Sequence, residues 1–114
     1  MASLNQNATV FKNRKNVLRI AVNGVPNLAG WGIRWAMTDG QDVLDNILLE
    51  KNLTGDDIWV EDLIYIYVKI NEGDATEIPA GNYYHEIMLV DLNGKPFQAT
   101  VGVINLRDVR LIND

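Results

Sequence analysis

Ile64-Tyr65-Ile66-Tyr67-Val68-Lys69-Ile70 is the stretch that decides the fold class. Ile64, Ile66, Val68 and Ile70 fall on one side of an extended chain, and Tyr65, Tyr67 and Lys69 fall on the other. A period of two belongs to a strand, whose successive side chains point to opposite faces, and not to a helix. The pattern continues outward in both directions. Toward the amino end, Ile58 and Val60 begin a related segment after the Asp56-Asp57 turn, and residues 31–38 place Trp31, Ile33, Trp35 and Met37 on one face. Residues 17–23 place Leu18, Ile20 and Val22 on one face, and residues 8–12 read as a short first strand. Residues 43–51 are assigned as a strand, although Val43, Leu44, Ile47 and Leu48 also fit a helical spacing. Toward the carboxyl end, residues 83–91 and 96–106 form a pair closed by Asn93-Gly94, a dipeptide suited to the left-handed positions of a type I′ hairpin. Asp74-Ala75-Thr76-Glu77 has the cap-plus-acid spacing of one short helical turn near residues 74–78, which Pro79 stops. About seven strands at short spacing, separated by turn residues, predict an all-β chain folded as an antiparallel two-sheet sandwich.

Composition limits what such a sandwich can do. With 114 residues, 47% of them hydrophobic, the chain supports one compact domain with a single core. It has no cysteine, which removes disulfides, thiolate nucleophiles and sulfur-ligated zinc. His85 is the single histidine, so multi-histidine metal sites are excluded; Ser3, the single serine, is remote from it in sequence and frames no nucleophile. The acids Asp39, Asp42 and Asp45, Asp56-Asp57, and Glu61-Asp62 lack the twelve-residue calcium loop and read as solvated turns. Neither a phosphate loop nor a dinucleotide fingerprint is present. We therefore expect no catalytic residue, no cofactor site, no metal ligand and no enzymatic activity. The longest apolar run, residues 63–68, is far below the roughly 18 residues of a membrane span, and no cationic, cleavable leader is visible. Neither a membrane partner nor a signal peptide is expected.

Charge is unevenly distributed along the chain. Residues 1–38 contain no acid and carry Lys12, Arg14, Lys15, Arg19 and Arg34, whereas all 15 acids fall in residues 39–114. The Lys12, Arg14 and Lys15 cluster reads as a projecting solvated turn or as a contact to an acidic neighbouring subunit. Nucleic acid is not the expected partner of a chain with a net charge of −5.

Ile78-Pro79-Ala80-Gly81-Asn82-Tyr83-Tyr84-His85-Glu86-Ile87 adds a more specific feature. Its Gly81-Asn82-Tyr83 spacing is the trace of a tyrosine corner, in which the phenol bonds upstream backbone where strand E crosses to strand F in Ig-like domains. Taken with Ile33-Arg34-Trp35, residues 60–70 and Val90-Asp91-Leu92-Asn93-Gly94, the sequence resembles the small Ig-like domains of tailed-bacteriophage virions. The best-known form is the N-terminal domain of the baseplate upper protein of lactococcal siphophages, and collar and neck accessory proteins carry similar domains. The resemblance spans residues 8–106, flanked by an N-terminal arm, 1–7, and a C-terminal tail, 107–114. It implies an Ig-like β-sandwich and a structural, non-enzymatic role, docked onto a collar, neck, tail or baseplate, or less often a capsid surface. Its implied partners are other virion proteins and copies of itself in a ring-forming homo-oligomer, and its implied location is the virion, assembled in the host cytoplasm. The baseplate protein continues into a long fibre-like region that this sequence lacks, so a free-standing place is expected rather than a baseplate arm.

Under this reading Tyr83 and Gly81 form the structural corner. His85 takes the position where antibody domains carry a core cysteine and is expected to point inward with Tyr83, Ile87 and Leu89, hydrogen-bonded to backbone or acting as a pH-sensitive packing element. Trp31 and Trp35 are expected in the core. The candidate interface comprises Lys12, Arg14 and Lys15, the outward aromatics Trp59, Tyr65, Tyr67 and Tyr84, and the apolar tail residues Val109, Leu111 and Ile112. The rival function is a carbohydrate- or host-surface-binding module that stacks exposed aromatics on glycans.

Overall fold

The computed structural model describes residues 2–3, 6–22, 27–39, 47–53, 55, 57–62 and 64–108. Nine strands form among them: β1 (Ala2–Ser3), β2 (Ala8–Phe11), β3 (Asn16–Ala21), β4 (Gly32–Thr38), β5 (Ile47–Asn52), β6 (Ile58–Glu61), β7 (Tyr65–Ile70), β8 (Gly81–Val90) and β9 (Pro96–Arg107). The larger sheet has the order β1-β9-β8-β4-β5, with β2 also paired to β9, and the smaller has the order β3-β7-β6. The alternation read at 64–70 is realised in β7, where Ile66, Val68 and Ile70 are buried and Tyr65, Tyr67 and Lys69 are half-buried. Across the ladder Leu18 pairs with Val68 and Ile20 with Ile66. These residues form one core with Ile33, Trp35 and Met37 of β4, Ile87 and Leu89 of β8, and Val101, Ile104 and Leu106 of β9. Trp35 is wholly buried at its centre. Trp31 precedes β4, is only partly buried, and stacks on Phe97 at 5.9 Å, so the expected core pair of tryptophans is reduced to one.

Several details depart from the sequence reading. Pairing is antiparallel except at the start of the chain, where β1 and β2 run parallel to β9. A terminal strand has no hairpin to set its direction and joins an edge that offers free backbone groups. Residues assigned to a free arm are thereby stitched into the larger sheet: the Gln6 N–H donates to the Val101 carbonyl at 2.6 Å. The sandwich also runs past residue 106, because Arg107 closes β9 and its carbonyl accepts from the Lys12 N–H at 2.8 Å. Residues 74–78 form no helical turn. The loop winds through i to i+3 bonds, Asp74 N–H to Asn71 O and Ile78 N–H to Ala75 O, and the Asp74 carboxylate accepts from the Asn71 N–H behind it instead of capping amides ahead. The hairpin at Asn93-Gly94 is not type I′, since Gly94 has φ 83° while Asn93 has no positive φ. It is a type I turn with a glycine bulge, in which the Gly94 N–H donates to Asp91 O and the Asp91 N–H donates to Lys95 O. Asp91 selects this form, because its Oδ1 accepts from the amides of both Asn93 and Lys95. The strand assigned to residues 43–51 is observed as β5, and residues 43–46 lie outside the described residues.

Candidate interaction face and buried histidine

Strand alternation sends Val17, Arg19 and Ala21 of β3, Tyr65, Tyr67 and Lys69 of β7, and Trp59 and Glu61 of β6 to the outer face of the smaller sheet. The registers align Arg19, Tyr67 and Trp59 in one cross-strand row and Ala21, Tyr65 and Glu61 in the next. Trp59 and Tyr67 stack with centroids 5.5 Å apart and planes 5° from parallel. The Arg19 guanidinium lies 4.9 Å from the Tyr65 ring centroid, and the Trp59 Nε1–H donates to Glu61 Oε2 at 2.7 Å. Each large side chain is therefore held by a neighbour, and a partner would immobilise little that is not already immobile. Val17 stands exposed beside them.

The other sequence-selected residues lie elsewhere. Tyr84 sits on the outer face of the larger sheet, opposite Thr38 and Val103. Lys12, Arg14 and Lys15 form the turn between β2 and β3 at one end of the sandwich. Lys12 is answered within the chain by Asp108 at 3.7 Å, and Arg34 by Glu50, so two of the five cations in residues 1–38 are paired with acids of the later part. Arg14 and Lys15 remain exposed. Val109, Leu111 and Ile112 lie outside the described residues. At the corner, Tyr83 Oη donates to the Pro79 carbonyl at 2.6 Å, and Gly81 opens β8 beside the ring.

His85 is 1% exposed and lies within the core, with its ring edge-on to Trp35. The Trp35 Nε1–H donates to His85 Nδ1 at 3.0 Å, and His85 Nε2 is 2.9 Å from the Gln6 carbonyl. An indole nitrogen can only donate and a carbonyl can only accept, so the ring is neutral with its proton on Nε2. Burial pushes its pKa down to about 4, against the opposing pull of the Gln6 carbonyl. Gln6 reaches further. Its side-chain amide donates to the Ala21 carbonyl at 2.7 Å and accepts from the Ala21 N–H at 2.9 Å, so this residue joins β9, β8 and β3. Asn7 accepts from the Val103 N–H beside it. The segment fits only because residue 102 is glycine, since a Cβ there would meet the Gln6 carbonyl. Sequence reasoning aimed His85 inward but had no signal for Gln6.

A second cluster was also missed. Lys51 Nζ lies 2.7 Å from Asp57 Oδ2 and 2.5 Å from Asp74 Oδ2, with Asn71 donating to both acids. Burial opposes the ammonium charge, but the bonds to Asp57 and Asp74 outweigh it and raise the Lys51 pKa. The hydrogen bond from Lys51 in turn holds Asp57 below the ordinary carboxylate range, against the cost of its own burial. Asp57 and Asp74 are thus structural ion-pair partners, which corrects the reading of Asp57 as a solvated turn and of Asp74 as a helix cap. Among the described residues, no three His, Asp or Glu side chains converge as a metal site.

No family model matches the chain, and no curated protein does. Among solved structures, CopC from Methylosinus trichosporium OB3b superposes with a TM-score of 0.53 at 8% identity, over 93% of this chain and 88% of its own. Murine CRIg superposes with a TM-score of 0.50 at 14% identity, over 91% of this chain and 92% of its own. Both have Ig-like β-sandwich folds, and this chain shares that fold.

Proposed function

We propose that the chain is a non-enzymatic structural subunit of a tailed-phage virion, docked through the outer face of β3, β7 and β6 onto other virion proteins or copies of itself. The docking part is carried by the preset row of Arg19, Tyr67 and Trp59, the residue types that dominate binding energy at protein interfaces, on the outer face of the smaller sheet, where Arg19 and Val17 are exposed and the aromatics half-buried. The virion part is supported by the resemblance of residues 8–106, for which the Ig-like sandwich supplies the scaffold and the surface supplies the function. Particles purified from the encoding phage should contain the chain in a fixed ratio to the major capsid protein. A chain carrying Trp59→Ala and Tyr67→Ala should fold and yet be lost from them. Absence of the normal chain from particles refutes the virion role, and retention of the doubly substituted chain refutes the docking face. The glycan-binding alternative would be established by glycan binding of the isolated chain without particle association; Trp35 cannot serve it, being wholly buried.

A further inference from the structure

His85 is satisfied in one protonation state only. With Nδ1 accepting from Trp35 and Nε2–H donating to Gln6, a proton added at Nδ1 would point directly at the indole N–H. The charged ring would then hold two donors in a dry site with one acceptor, and it must reach water or another acceptor. The elements packed around it offer neither. Met37 of β4 and Gly102 of β9 stand beside it in the sheet and Trp35 lies edge-on to it, in a core otherwise made of apolar side chains. Tyr83 shares the inward face of β8, and alternation directs Glu86 to the opposite face. Trp35 cannot yield without emptying the centre of the core. The removable wall is residues 6–7, which lie over Gly102 and belong to a terminal segment at the edge of the sheet.

We infer that His85 is a latch for the N-terminal strands, holding β1, Gln6 and β2 on β9 while the ring is neutral and releasing them when it takes up a proton. Release frees the ring to solvate, breaks the bond of Gln6 to Val101 and the pair to Ala21, and uncovers the edge of β9. Release also draws Val10 of β2 out of the core, while the rest of the sandwich, built on β3 to β9, stays folded. Depression of the ring from its ordinary 6.5 to about 4 caps the effect: opening becomes at most about 300-fold more populated as pH falls through that window.

Amide hydrogen exchange of the full chain between pH 7 and pH 4.5, corrected for intrinsic rates, reads this opening directly. The Gln6 and Lys12 amides, which donate to β9, should lose protection by one to two orders of magnitude (about 10- to 100-fold), while the amides of the β4–β8 ladder keep theirs. In His85→Gln, whose amide can still meet the Gln6 carbonyl and does not titrate, the Gln6 and Lys12 protection should be independent of pH. Should that variant fail to fold, His85→Met also does not titrate and should show an open strand at every pH. Equal loss of protection in the terminal strand and the β4–β8 ladder would overturn the latch, because it would be ordinary acid unfolding. Unchanged protection of Gln6 and Lys12 in the normal chain, or the same acid loss in a non-titrating variant, would overturn it as well.

Discussion

Gly102→Ala tests how tightly the N-terminal segment is fitted to the sandwich. The methyl group would overlap the Gln6 carbonyl and stand 2.7 Å from Asn7 Oδ1. Carbon contacts settle near 3.5 Å, so residues 6–7 must retreat by about 1 Å. Their bonds cannot follow. The Gln6 N–H to Val101, the His85 Nε2–H to Gln6 and the Val103 N–H to Asn7 span 2.6 to 2.9 Å, and a retreat of that size takes them past the range in which such bonds hold. At about 1 kcal/mol net for each bond, losing two or three of them costs about 2–3 kcal/mol. That is a large share of the roughly 5–15 kcal/mol available to such a domain and corresponds to a fall in Tm of roughly 8–12 °C. Urea unfolding should show a lower midpoint with an unchanged slope. Gly94→Ala is the control, because nothing lies within 4 Å of its added Cβ and only the φ of 83° resists it, at about 1 kcal/mol. If Gly102→Ala costs less than Gly94→Ala, the close packing of Gln6 on Gly102 is refuted.

Tyr83→Phe removes the bond to the Pro79 carbonyl and should lower stability by about 1 kcal/mol, and an unchanged denaturation midpoint would remove the corner from the account. Lys51→Met leaves Asp74 without its cation and Asp57 with Lys69 alone, at 3.6 Å, and should cost about 1–3 kcal/mol at neutral pH. Because the folded pKa of Lys51 is raised, its contribution is present below the ordinary lysine value and lost as pH rises through the folded value; the alkaline fall in stability should shrink in Lys51→Met, as urea titrations above pH 10 would show. The lowered pKa of Asp57 works on the other side, giving stability above the ordinary carboxylate value that is lost as pH falls through the folded one. For His85, folded at about 4 against an ordinary 6.5, the opened strand binds the proton first; the closed strand, favoured above pH 6.5, should lose up to about 3 kcal/mol against the open one on the way to pH 4, and His85→Gln should flatten that slope.

The same geometry explains why a chain without disulfides can keep an Ig-like core. Where antibody domains place a cysteine on strand F against a buried tryptophan on strand C, this chain places His85 on β8 against Trp35 on β4. A hydrogen bond replaces packing on a disulfide, and the second ring nitrogen is free to recruit Gln6. The cost is a terminal strand whose docking depends on proton occupancy.

What the residues determine by themselves is local. Ile66, Val68 and Ile70 against Tyr65, Tyr67 and Lys69 reveal a strand because side-chain direction follows from backbone geometry over a few positions. Tyr83 and Pro79 are four apart, so their bond is written within one turn of chain. The inward direction of His85 follows from counting along β8. Tertiary structure decided the rest. Gln6 meets His85 across 79 positions because a terminal strand docks parallel to β9, a choice that no local pattern encodes. Lys51 gathers Asp57 and Asp74 because β5 lies at the edge of one sheet while the two acids flank strands of the other. Trp59, Tyr65 and Tyr67 share a face while Tyr84 is turned away, because alternation assigns each residue a side of its own strand, and only the assignment of strands to sheets decides which sides coincide.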